Sequence, residues 1–136
     1  TTSIKILIVE DSTTIRSLYK ILFQAYQYDE AENGLVAVTK ISKALEQNPN
    51  AKPYDIVFMD KEMPVMDGYV ATRQIRKLLP SLPIVGVTGN ALDTYQKEFV
   101  DQGLTDILTK PVTSKDIVQC IDMYVRSSIR GHTIRG

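Results

Sequence analysis

Ile56-Val57-Phe58-Met59-Asp60-Lys61-Glu62-Met63-Pro64-Val65-Met66-Asp67-Gly68 is the stretch on which the fold turns. An apolar run ends abruptly in an aspartate, a loop with Pro64 and Asp67-Gly68 follows, and a helical pattern then begins. That layout puts one carboxylate at the C-terminal tip of a buried strand. In parallel α/β sheets those tips are where ligand chemistry gathers. Carboxylates are almost never fully buried without a partner, so Asp60 calls for a cation, a metal or a reaction.

Outward from this point the chain alternates short apolar runs with amphipathic stretches, five times over. Strands are expected at residues 4–9, 28–31, 55–59, 84–88 and 107–109, the second of them weak. Helices are expected at 12–25, 34–47, 69–79, 92–102 and 114–128. Ser12 suits an N-cap, with Ile15, Leu18, Leu22 and Ala25 at helical spacing and Leu18 and Leu22 facing the core. Residues 48–53 are polar with two prolines and read as a loop. Pro80 stops the third helix, and Gly103 is placed as the C′ residue of the fourth. Tyr95 and Phe99 on that helix read as core. Residues 129–136 have no period and read as a loose tail. Five β-then-α units argue for a single α/β domain, a doubly wound parallel sheet with helices on both faces. Its core covers about residues 4–128 of 1–136.

Bulk composition narrows the classes. The 136 residues are 43% apolar and 24% charged, with 16 basic and 16 acidic side chains. That balance favours neither nucleic acid nor an anionic membrane surface. No apolar run approaches the ~20 residues that cross a bilayer. The single cysteine, Cys120, reads as helix packing and fits a reducing, cytoplasmic compartment. The first residue is not methionine, which suggests a piece of something longer.

Each strand except the second carries polar chemistry at its tip: Glu10-Asp11, Asp60, Thr88 and Lys110. A parallel sheet brings all these tips to one edge. Clustered carboxylates repel, and one must hold a proton unless a cation intervenes. Lys110 supplies one positive charge against three negative ones. A hard divalent ion such as Mg²⁺ balances the remainder. There is no Cys or His cluster for zinc, and the one histidine, His132, stands in the tail.

These residues carry a resemblance. The acidic pair Glu10-Asp11, Asp60 with Met63-Pro64 and Asp67-Gly68 after it, Thr88 and Lys110-Pro111 resemble, in order and spacing, the receiver domain of two-component response regulators. The likeness spans about residues 4–126. It implies the flavodoxin-like strand order 2-1-3-4-5, with the ligand site at the switch between the first and third strands, where Asp11 and Asp60 would meet. It implies Asp60 as phosphoacceptor, and Mg²⁺ held by Glu10, Asp11, Asp60 and the backbone carbonyl of Glu62. It implies Thr88 as a hydrogen-bond donor to the phosphoryl group and Lys110 as its counter-charge, with a cis bond before Pro111. It also implies a histidine kinase or histidine-phosphotransfer protein as partner, docking beside the site on the first helix near Ile15. Such a domain is a phosphorelay switch, not a turnover enzyme, although it catalyses its own phosphorylation and slow hydrolysis.

Two departures stand out. The position three before Lys110, aromatic in many members, is Ile107. The long 48–53 loop and the Met59–Pro64 run look like receivers of hybrid kinases, whereas Asp11 to Arg16 looks like stand-alone receivers. The competing readings are weaker. A haloacid-dehalogenase-type hydrolase wants a second aspartate where Glu62 stands, and a cap insertion. A pseudo-receiver would not keep every charged position, and nucleotide binding has neither a Walker A loop nor G-x-G-x-x-G.

Overall fold

The computed structural model describes residues 4–63, 65–90 and 101–126. Five parallel strands, β1 (Lys5–Val9), β2 (Gln27–Ala31), β3 (Ile56–Asp60), β4 (Ile84–Thr88) and β5 (Asp106–Thr109), lie in the order β2-β1-β3-β4-β5. The described helices are α1 (Thr13–Leu22), α2 (Gly34–Gln47), α3 (Gly68–Leu78) and α4 (Ser114–Ile121). The last runs into a single wide π turn, Asp122–Arg126.

Side-chain alternation along the central strands feeds two cores. Leu7, Val9, Val57 and Met59 pack with Ala37, Ile41, Ala71 and Ile75 of α2 and α3. Ile6, Ile8, Ile56 and Phe58 pack on the other face with Tyr19 and Phe23 from the α1 region and Ile117, Cys120 and Ile121 of α4. β1 and β3 are thus apolar on both faces because each has helices above and below. Cys120 is buried helix packing, as its neighbours suggest.

Local signals explain most boundaries. Ser12, Asn33, Asp67 and Thr113 each accept a backbone N–H at a helix start. At Thr113 the bond is reciprocated by Asp116, forming a capping box. Strand β2 is longer than expected and pairs with β1 at all five positions. It is an edge strand with only Ala31 fully buried, so its alternation is muted in sequence. The aspartate at 60 is itself the last residue of β3, while Asp55 stays outside and accepts the Lys5 N–H with its carboxylate.

Two expectations need correction. α1 ends at Leu22, not Ala25: Phe23 is its C-cap, wholly buried, and Tyr26 N–H turns back to the Phe23 carbonyl to start β2. Leu18 faces outward, 57% exposed, and Tyr19 takes the core position. The helix phase is set by the aromatic pair Tyr19 and Phe23, whose rings meet edge to face. The helix expected at 92–102, with Tyr95 and Phe99, lies outside the described residues but for its last two positions. Gly103 has the positive φ, +93°, that suits a C′ residue. His132 and the tail also lie outside the described residues.

Candidate functional site

The β1–α1 turn, the end of β3 and the start of the β5–α4 connection converge at one edge of the sheet. Glu10, Asp11 and Asp60 each bring a carboxylate oxygen within 4.8 Å of the others. Glu10 and Asp60 are almost wholly buried, whereas Asp11 is open to solvent. Lys110 Nζ lies 3.3 Å from Asp60 Oδ1 and 3.6 Å from Glu10 Oε1. The Lys110–Pro111 peptide is cis.

Backbone bonds fix these groups. Glu10 N–H donates to the Ala31 carbonyl, and the Glu10 carboxylate accepts the N–H of Ser12 at 3.1 Å. Lys61 N–H donates to the Val87 carbonyl, and Lys110 N–H to the Thr88 carbonyl at 2.7 Å. Asp60 Oδ1 accepts the Glu62 N–H at 3.3 Å, while the Glu62 side chain is exposed. Thr88 is fully buried at the end of β4, one residue beyond the strand partner of Asp60, and its hydroxyl accepts the Asn90 N–H at 3.1 Å.

Gly68 admits α3 to this edge. A Cβ on it would lie 2.3 Å from the Asp60 carbonyl oxygen and 2.8 Å from Lys61 Cα, so only a hydrogen fits. Asp67 beside it caps α3 through the Val70 N–H, a structural role as expected. Ile107 is buried with Leu104 in the core on the α2/α3 side, beside Gly86 of β4.

Electrostatically the pocket is acidic beyond its counter-charge. Burial first, and the Asp60 and Asp11 carboxylates next, push Glu10 up to about 7 against the opposing pull of the Ser12 N–H and Lys110. Burial also raises Asp60, outweighing the Lys110 ammonium and the Glu62 N–H. Burial alone would lower Lys110, but Asp60 and Glu10 raise it. Among the described residues, Glu10 Oε1 is buried with no hydrogen bond, its nearest cation being the Lys110 ammonium at 3.6 Å. Oxygen-only donors, an unsatisfied buried oxygen and excess negative charge fit a hard divalent cation.

Sequence reading missed Arg16. Its guanidinium donates to the carbonyls of Glu10, at 2.7 Å, and Asp11, at 3.3 Å, and pairs with Glu30 at 3.3 Å. The available signal was an arginine one turn into the helix that follows the acidic pair. Beside the pocket, Ile15, Leu18, Ile21 and Val112 line an apolar groove of about 440 Å³ that reaches Gly89 and Lys110.

Comparison with known proteins agrees with this geometry. The chain is 39% identical over 118 residues to the two-component response regulator ORR41 of Oryza sativa subsp. japonica, covering 84% of this chain and 88% of that one. It is 36% identical over 121 residues to the sensor histidine kinase RcsC of Escherichia coli K12, covering 88% of this chain but only 12% of that protein. Among solved structures, the receiver domain of the sensor histidine kinase PA1611 from Pseudomonas aeruginosa PAO1, with magnesium in its active-site cleft, superposes with a TM-score of 0.78 at 27% identity over 93% of this chain and all of that one. No helix among the described residues is long and apolar enough to cross a membrane. The family model of the response regulator receiver domain matches residues 6–122, and the chain belongs to that family.

Proposed function

We propose that this chain, residues 1–136, is a phosphorelay receiver in the cytoplasm that takes a phosphoryl group from phosphohistidine onto Asp60. The observation that carries this reading is the buried Asp60 carboxylate held between Lys110 and two further acids. A carboxylate can serve as nucleophile and become an aspartyl phosphate. An Asp60 oxygen attacks phosphorus, the bond from phosphorus to the donor imidazole breaks, and its electron pair stays on that nitrogen. Lys110 neutralises a phosphoryl oxygen, and the Thr88 hydroxyl turns to donate to another. Positioning and charge neutralisation are most of what such a transfer needs.

Glu10, Asp11, Asp60 and the Glu62 carbonyl are the groups that would hold Mg²⁺. When bound, that ion supplies positive charge to phosphoryl oxygens. The domain acts as a switch that catalyses its own phosphorylation and slow dephosphorylation, either alone or within a hybrid histidine kinase. With Ile107, which has no ring, buried beside Gly86, the switch runs through Thr88 and the chain after it.

Titration with Mg²⁺ and labelling by acetyl phosphate test the reading. Asp11→Asn is expected to raise the Mg²⁺ dissociation constant by at least about tenfold, since loss of even an outer-shell partner costs about 10–100-fold. Labelling should slow in parallel. Unchanged metal affinity would reject Asp11 as a ligand.

The partner is a histidine kinase or histidine-phosphotransfer protein whose phosphohistidine helix lies in the α1 groove. The groove reaches Lys110, the ion-pair partner of Asp60, and Leu18 and Ile21 are 57% and 65% exposed there. Ile15 both lines the groove and packs on the core, so Leu18 separates docking from folding more cleanly. Leu18→Ala should slow transfer from phosphohistidine by roughly tenfold, the loss of one interface anchor. Labelling by acetyl phosphate and the melting temperature should hold. Equal transfer rates in both proteins would place the docking face elsewhere.

A further inference from the structure

Among the described residues, Arg16 is the side chain that grips the backbone of both acids in the β1–α1 turn. Its NH1 group donates to the Glu10 carbonyl at 2.7 Å and the Asp11 carbonyl at 3.3 Å. Its Nε faces Glu30 of β2 at 3.3 Å, and the two side chains are only 17% and 28% exposed. The turn is therefore held from α1 and from β2 together, because Glu10 N–H also donates to the Ala31 carbonyl. Because the peptide unit is planar, holding a carbonyl fixes the plane of its peptide and so restricts the Cα positions on either side from which the side chains project. A planar fork of fixed donors is suited to hold two acceptors and a carboxylate at once, which a lysine ammonium on a flexible stem is not.

We propose that Arg16 is a positioning residue for the acidic pair: it fixes the Glu10 and Asp11 peptides so that both carboxylates stay aimed at Asp60 despite their mutual repulsion. This inference rests on the metal reading above. It differs from a surface ion pair, which contributes little to stability and whose loss leaves the site unchanged.

The sign of one measurement separates the alternatives. Arg16 is a cation near a cation site. If it acted through charge alone, removing it would tighten Mg²⁺ binding. If it positions the ligands, removing it loosens binding. Mg²⁺ alone is titrated calorimetrically into the full chain, with melting temperatures recorded in EDTA. Arg16→Ala is expected to raise the Mg²⁺ dissociation constant by about tenfold or more, the range found when groups that orient metal ligands are removed. Arg16→Lys keeps the charge and loses the fork, so its constant should rise as well. It also serves if Arg16→Ala fails to fold. An unchanged or lower constant in a folded Arg16→Ala protein overturns the proposal, and so does wild-type affinity in Arg16→Lys. A wild-type chain that binds no Mg²⁺ would instead remove the metal reading itself, and the positioning role with it.

Discussion

Replacing Asp60 with asparagine is expected to abolish labelling by acetyl phosphate in Mg²⁺, the largest effect any single change should have on this chain. Peptide mapping of the labelled wild type should place the phosphoryl group on Asp60 alone. The basis is geometric: among the described residues Asp60 is the buried carboxylate at a strand tip that faces both an ammonium and two further acids. Full labelling of Asp60→Asn would refute the assignment. The same substitution carries an opposite consequence for stability. Glu10 and Asp60 are both raised, so the metal-free fold disfavours their charged forms. Removing one charge should stabilise the protein in EDTA by about 1 kcal/mol. The pH dependence follows with a definite sign. A carboxylate raised from 4.5 to about 7 contributes stability that is complete below 4.5 and lost as the pH passes upward through about 7. The melting temperature of the metal-free wild type should fall across that window, and Mg²⁺ should flatten the fall. A flat profile in EDTA would mean that the acids do not strain the fold.

Gly68→Ala is expected to destabilise the fold by about 3 kcal/mol or more, at or beyond the upper end for overpacking. The added methyl would meet the Asp60 carbonyl at 2.3 Å and the Lys61 Cα at 2.8 Å, both of them backbone. Neither can rotate away as a side-chain tip could. Relief requires α3 to withdraw from β3, which also breaks the Gly68 N–H bond to the Lys61 carbonyl. Urea unfolding measures the loss. Since the obstructing atoms belong to Asp60 and Lys61, phosphorylation should slow in the fraction that remains folded. A cost below about 1 kcal/mol would show that the approach can be relaxed cheaply.

Much of this arrangement is legible in sequence because strand tips are marked by a change from apolar to charged residues. Val9 to Glu10 and Met59 to Asp60 locate the pocket, and Lys110-Pro111 locates its counter-charge. The β-α alternation gives the class, and the resemblance supplies the strand order that the structure has. What remained hidden depends on tertiary choice. Leu18 and Tyr19 are both apolar enough to face inward, and the ring contacts of Tyr19 with Phe23 and of Phe23 with Phe58 decide the phase. Edge strand β2 shows little alternation because Tyr28, Asp29 and Glu30 are all half-buried. Arg16 is marked in sequence only by its place one turn after the acidic pair, because the turn it grips exists only once the chain has folded.

The strand order has a kinetic consequence. Neighbouring strands in a parallel sheet are never joined by a hairpin, so each pair forms only after a helix-length loop closes. Strand β1 sits between β2 and β3, and its pairing with β3 joins Ile6 to Ile56. On the ribosome, where N-terminal segments emerge first, the three acids at Glu10, Asp11 and Asp60 exist long before Lys110. The counter-charge is thus the last part of the pocket to be made, and its ion pairs with Asp60 and Glu10 close only when β5 docks beside β4.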